Sequence, residues 1–242
     1  MLEFFCNSLT NGFFLSSGMG KGIVVVQLLM SLAMVTYVFG KAWELLELRK
    51  AVRRVRRDVM GERNVLDHHL ARRDNGGTPL ERVYYRTCER LLNLLTPGVR
   101  SLIIERQPGA VGALTKHEME LVRSMADQSM DEELLRVEDG LGFISTIVAL
   151  APMLGLLGTV WGVLDAFADM GAAGSATIAT MAPAISSALL TTVVGLLVAI
   201  PGKAAHHCLM EMLQKIQVEM EGFLDDFTGR VALEFQDTGS RS

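Results

Sequence analysis

Charge is what this sequence lacks most tellingly. Residues 22–40, 141–164 and 170–202 contain no Asp, Glu, Lys or Arg over 19, 24 and 33 positions. Aromatic residues are scarce as well, at 6% of a chain that is 50% hydrophobic. The apolar content is carried by Ala, Val, Leu, Ile, Met and Gly, gathered into those blocks, whereas a water-soluble fold of one or two domains would disperse it. Cys6, Cys88 and Cys208 are odd in number and far apart, which excludes a disulfide framework and a zinc spacing and leaves three unpaired thiols. Only one basic residue, Lys21, precedes the first apolar block. A cleaved signal peptide would need a basic leader and a shorter apolar run, so the block is expected to be a retained helix.

What is present fits a membrane. A helix rising about 1.5 Å per residue needs roughly 20 apolar residues to cross a hydrocarbon core about 30 Å thick. The first block just suffices and the second does so comfortably. The third is too long for one span, so its start, which includes the small, flexible GAAGSAT at 171–177, is expected to turn. Spans two and three then form an antiparallel hairpin. Of the 23 Lys and Arg residues, 18 lie between Lys41 and Arg136, and the loop between spans two and three has none. The excess of base on the cytoplasmic side predicts a cytoplasmic middle segment and tail, with the amino terminus outside. Phe4, Phe5, Phe13 and Phe14 suggest that residues 1–21 form a short segment resting on the periplasmic membrane surface.

The fold class expected is therefore an all-α membrane protein, with three transmembrane helices extended into a cytoplasmic helical bundle. Its parts are a periplasmic interfacial segment 1–21, a span 22–40, a cytoplasmic helical segment 41–140, a span 141–168, a periplasmic turn 169–176, a span 177–202, and a cytoplasmic helix and tail 203–242. Leu45, Leu48, Val52 and Val55 recur at helical spacing just past the first span, and Leu209, Leu213, Ile216, Met220, Phe223 and Phe227 do so after the third. Breaks are expected at 74–79, 96–98 and 107–109, where Gly and Pro cluster. Thr115 with Glu118 matches a capping box. The basic run 49–57 flanks a span, which points to anionic lipid headgroups, or to a plain positive-inside flank, and not to nucleic acid. His207 and Glu211 are one turn apart but lack the further ligands a metal needs, so no metal or cofactor is expected.

No nucleophile with a base, phosphate-binding loop or carboxylate pair suggests an enzyme. Instead, small residues recur every three or four positions: Ala151, Gly155, Gly158, Thr159, Gly162 and Ala166 in span two, and Ala184, Ala188, Thr191, Gly195 and Ala199 in span three. Such faces let helix backbones approach closely in lipid. Among them are hydroxyls, each of which can simply bond back to the carbonyl one turn earlier. Thr159 and Thr192 stand apart, because both fall near the middle of the membrane and within roughly 10 Å of each other in depth. A proton path usually needs a buried titratable group, and the nearest here, Asp165 and Asp169, are at the outer mouth of span two. Any titrating group deep in the membrane would have to come from another chain.

These residues resemble the ExbB and TolQ proteins. LAPMLGLLGTVWGVLDAF at 150–167 is similar to the family's second span, and APAISSALLTTVVGLLVAIP at 182–201 to its third. The likeness covers about residues 140–207, and the first third of the chain agrees in layout only. It implies an all-helical subunit of a proton-driven motor in the bacterial inner membrane. In that family five subunits surround two copies of a single-span ExbD/TolR-type partner whose transmembrane Asp carries the proton. The family's pore threonines fall on Thr159 and Thr192, Ser187 is placed with them on the proton path, and Thr191 faces another way. Pro152, Gly155, Gly158, Gly162, Pro183, Ala188 and Gly195 fall on its helix-packing positions. One departure is Ser187, where the family often has Glu. It favours a diverged motor, such as one for surface motility, or a scaffold pentamer that does not conduct.

Overall fold

The computed structural model describes residues 18–61, 66–71, 77–95, 114–173 and 178–235. Residues 1–17 of the interfacial segment expected over 1–21, the breaks at 96–98 and 107–109, and Cys6 lie outside these residues. The described elements are helices: α1 (Gly18–Gly61), α2 (Asp67–Ala71), α3 (Pro79–Leu94), α4 (Lys116–Glu138), α5 (Leu141–Ala173) and α6 (Ile178–Phe235). Three of them, α1, α5 and α6, are long and apolar enough to cross a membrane, each with a window of mean hydropathy 2.1.

The helices overrun the boundaries expected from polarity. α1 begins at Gly18, ahead of residue 22, and runs 44 residues. α5 continues to Ala173, through positions expected to turn. α6 is one helix of 58 residues, about 87 Å long at 1.5 Å per residue, with no break at 202–203. Polarity changes there, but a helix closes its own backbone hydrogen bonds and does not register whether its side chains meet lipid or water. Pro201 lies within the helix on an exposed face. The next residue, Gly202, packs against Met34 and Val148, so the packed face is uninterrupted.

The chain divides into two compact units, 1–42 with 140–210 and 43–139 with 211–242. The first has a core unlike that of a soluble protein. Small residues are inside, among them Ala151, Ala166, Ala188 and Ala199. Large apolar side chains point out, including Leu32, Phe39, Met153, Leu156, Leu164 and Ile200. Hydrocarbon solvates those large side chains as well as a protein core would, so close backbone packing is what holds helices together in lipid. Gly140, at φ +88°, precedes α5, and a Cβ there would run into the Tyr37 ring. Tyr37 packs on Phe143 at 5.5 Å between ring centroids.

The second unit has a core of large apolar side chains. Leu45, Leu48, Val52, Val55 and Val59 of α1 are buried, as are Leu213, Ile216, Met220, Phe223 and Phe227 of α6, in keeping with the spacing read from the sequence. Tyr84 of α3 is fully buried between Phe223 and Phe227, at 6.3 and 5.3 Å. Thr78 and Glu81 form a capping box on α3, and Thr115 and Glu118 the expected one on α4. Glu133 of α4 is completely buried, yet its carboxylate meets Arg82 at 2.6 Å, Arg136 at 3.0 Å and Arg86 at 3.7 Å. The basic run has protein partners: Arg49 and Arg53 pair with Glu219, and Arg56 with Asp226. Carboxylates of α6 thus lie against those three arginines. Both arginines, Arg53 first, hold the Glu219 carboxyl below its usual range.

His69 supplies a pH dependence. Its ring packs on Tyr84 and Tyr85, and its buried Nδ1 has no hydrogen-bond partner. Burial lowers the imidazole pKa below 6.5, against a smaller opposing pull from Glu89. The unfolded chain therefore takes up a proton as pH falls through 6.5, while the folded chain resists it. Stability from this group is intact above that pH and declines below it, through the depressed folded value. The melting temperature of the wild type should keep a constant offset from that of His69→Phe above about pH 7.5 and fall relative to it toward about pH 5.5. A constant difference across that range would exclude His69 as the source.

Candidate functional site: a hydroxyl cluster in the α5–α6 hairpin

The site lies in the first unit, where α5 and α6 touch through glycines. A Cβ on Gly155 would meet Thr191 O and Thr192 Cα, both at 2.9 Å. One on Gly158 would strike the Thr191 side chain, and one on Gly162 would sit 2.6 Å from Ala188 Cβ. Gly195 faces the Ala151 carbonyl in the same way. The small-residue stripes thus meet each other within the hairpin. Pro152 is half-buried and Pro183 is exposed, so Pro183 takes no part in this packing.

Bare glycine leaves the Gly155 carbonyl open, and hydroxyls collect on it. Thr159, Thr191 and Thr192 place their Oγ1 atoms 3.2, 3.0 and 3.1 Å from Gly155 O. Thr159 Oγ1 also lies 3.1 Å from Ala188 O and makes a short contact with Thr192 Oγ1. The similar depth inferred for Thr159 and Thr192 is thus a direct contact between the two side chains. Thr191 does face another way from Thr192: it is fully buried and can donate to Ala188 O at 2.7 Å. It nevertheless belongs to the cluster through Gly155 O, which its separate direction did not suggest. Ser187, although buried, donates to Ala184 O at 2.9 Å in its own helix. It stays outside the cluster.

The chemistry follows from counting protons. Each hydroxyl has one proton to donate and can also accept. Thr159 can donate to Thr192, which donates to Gly155 O. Alternatively Thr192 donates to Thr159, which donates to Gly155 O or Ala188 O. The two arrangements differ only by rotation about C–O bonds, so the pair can reverse the direction of its hydrogen bonds. Both threonines are part-buried, so the pair can be reached from the helix surface. The cluster holds no titratable group of its own. Among the described residues, no three His, Cys, Asp or Glu side chains come together to hold a metal ion.

A residue absent from the sequence-based expectations completes the site. Gln27 of α1 is fully buried, and its Nε2 donates to Ala151 O at 3.1 Å and to Thr191 O at 3.2 Å. It joins all three long helices. A signal was present, since Gln27 is the one amide side chain in the 19-residue charge-free stretch 22–40. A buried polar group in lipid is costly unless it is bonded.

Comparison with known proteins agrees with this architecture. The model of the MotA/TolQ/ExbB proton channel family matches residues 87–222, more than half of the chain. The Tol-Pal system protein TolQ of Haemophilus influenzae is 36% identical over 121 residues, 50% of this chain and 51% of that protein. The biopolymer transport protein ExbB of Xanthomonas campestris pv. campestris is 32% identical over 139 residues, 57% and 53% of the two chains. That of Salmonella typhimurium is 44% identical over 62 residues, 26% and 25%. The chain thus spans about half the length of the first two relatives. The small-residue hairpin, its threonine pair and the matched span fit one conclusion: this all-helical membrane protein belongs to the MotA/TolQ/ExbB proton channel family.

Proposed function

We propose that the chain is the channel-forming subunit of an ion-gradient-driven motor of the inner membrane, of the ExbB/TolQ type. In this reading its amino terminus is periplasmic, its second unit is cytoplasmic, and several copies, five by family resemblance, surround a single-span ExbD/TolR-type protein. The observation that carries it is the Thr159–Thr192 hydroxyl pair, part-buried at the middle of a hairpin with no charged residue from 141 to 164 or from 170 to 202. A hydroxyl pair can position and pass a proton but cannot store one near neutral pH, so the titrating carboxylate comes from the partner. The motor would then transmit force to the cell envelope.

The test is isosteric. Thr159→Val and Thr192→Val keep the packing volume and remove the hydroxyls. Each is expected to abolish envelope function and proton flux into vesicles while leaving the complex with its single-span partner assembled. Full activity in both variants would sink the proton-path reading. One observation favours a second reading, a scaffold pentamer that does not conduct: Ser187 stands at the position of the family's Glu and is occupied with Ala184 O. In that case the valine variants would be active and wild-type vesicles would show no flux.

A further inference from the structure

We propose that Thr191 is a positioning residue of the proton path, whose buried hydroxyl obliges Thr159 and Thr192 to bond to each other. The inference rests on the channel reading above and on matching donors to acceptors. Gly155 O and Ala188 O are carbonyls of α-helices, so the N–H four residues on takes one lone pair of each. Each carbonyl therefore has one lone pair left for a side chain. Three hydroxyls lie within reach of these two vacancies. Thr191 Oγ1 is 2.7 Å from Ala188 O and 3.0 Å from Gly155 O. Thr159 Oγ1 is 3.1 Å from Ala188 O and 3.2 Å from Gly155 O, and Thr192 Oγ1 is 3.1 Å from Gly155 O.

Thr191 holds one vacancy permanently. It is fully buried, so no acceptor outside the hairpin competes for its proton, and its side chain occupies the space that Gly158 leaves by lacking a Cβ. A buried hydroxyl that donated to nothing would be costly. With one carbonyl filled, Thr159 and Thr192 have one between them. The hydroxyl that does not donate to it has its neighbour's oxygen as the remaining acceptor, and Thr159 Oγ1 and Thr192 Oγ1 are indeed in contact. Thr191 also sets the direction of that bond. When it donates to Gly155 O, Thr159 takes Ala188 O, and Thr192 must donate to Thr159. When it donates to Ala188 O, either threonine can donate to the other. Without the Thr191 hydroxyl, two donors would meet two vacancies: Thr159 would donate to Ala188 O and Thr192 to Gly155 O. No proton would then lie between the two threonines, and their oxygens would turn lone pairs toward each other.

Two substitutions separate the hydroxyl from packing. Thr191→Val keeps the shape and removes the donor, whereas Thr191→Ser keeps the donor and loses the methyl group. Proton flux through the assembled complex in vesicles is expected to fall in Thr191→Val to the level of Thr192→Val, and to stay near wild type in Thr191→Ser. A packing role predicts the reverse order. Wild-type flux in Thr191→Val, or equal loss in both variants, would overturn the proposal. A second measurement needs no flux. Proton-detected solid-state NMR of the full chain in lipid bilayers, with carbon-13 threonine, should show a cross-peak from the hydroxyl proton of Thr159 or Thr192 to Cβ of the other. It is expected in the wild type and in Thr191→Ser, and is expected to vanish in Thr191→Val. Its persistence in the valine variant, or its absence from the wild type, would overturn the proposal even where wild-type vesicles do not conduct. Its failure is thus distinct from failure of the motor reading.

Discussion

Gly195→Ala is expected to force α5 away from α6 and unravel the hydroxyl cluster. The added Cβ would lie 2.9 Å from Gln27 Nε2 and closer still to the Ala151 carbonyl. A flexible side chain can yield, but a backbone oxygen moves only if the helix moves. Overpacking of this kind costs about 3 kcal/mol at the upper end of its usual range, and here it also removes the amide's bond to Ala151 O. Gly222→Ala is the control. It is also within α6, but a Cβ there meets nothing within 4 Å. Replacing a helical glycine in open space stabilises by roughly 0.5–1 kcal/mol. Thermal unfolding of the purified protein should therefore move in opposite directions for the same chemical change. Equal shifts would mean that the close approach at Gly195 is not structurally required.

Glu133→Ala is expected to have the second large effect, confined to the second unit. The carboxylate is fully buried and holds Arg82, Arg136 and Arg86 together. Its removal leaves three guanidinium groups facing one another around a void. Breaking a buried pair by removing one partner costs about 3–5 kcal/mol. The lower end is expected, because Arg82 and Arg86 are about one-third exposed and Arg136 more so, and water can take over part of their solvation. Glu133→Gln, which keeps the shape and one acceptor oxygen, should cost less. Measuring unfolding of the wild type and both variants gives the order. An alanine variant as stable as the wild type would show that the arginines do not depend on this carboxylate.

Several features were legible in the sequence because they are one-dimensional. Hydropathy and length marked the three membrane-crossing helices, since lipid demands about 20 apolar residues whatever the fold. The recurrence of Ala151, Gly155, Gly158 and Gly162, and of Ala188 and Gly195, marked the contact faces, since a helix repeats every 3.6 residues. Similar depth set Thr159 and Thr192 apart from the other hydroxyls, and the structure puts them in contact. The stripe of Leu213, Ile216, Met220, Phe223 and Phe227 likewise became a buried face.

Only the tertiary structure decided what depends on a partner distant in sequence. Gln27 lies 124 residues from Ala151 and 164 from Thr191, and nothing local says that α1 turns it toward them. Thr191 joined the cluster because Gly155 on the other helix left a carbonyl open. Glu133 reads as one more surface charge until α3 brings Arg82 to it. The continuity of α6 across 202–203 also escaped the sequence reading, although its end at Phe235 did not. Charge at Lys203 marks where the side-chain environment changes, whereas α6 continues to Phe235 on backbone hydrogen bonds that ignore that change. The three missing blocks of charge therefore determined that the chain crosses a membrane. Close packing of glycines determined where its few polar atoms meet, because without a Cβ the carbonyls of one helix stand open to the donors of another.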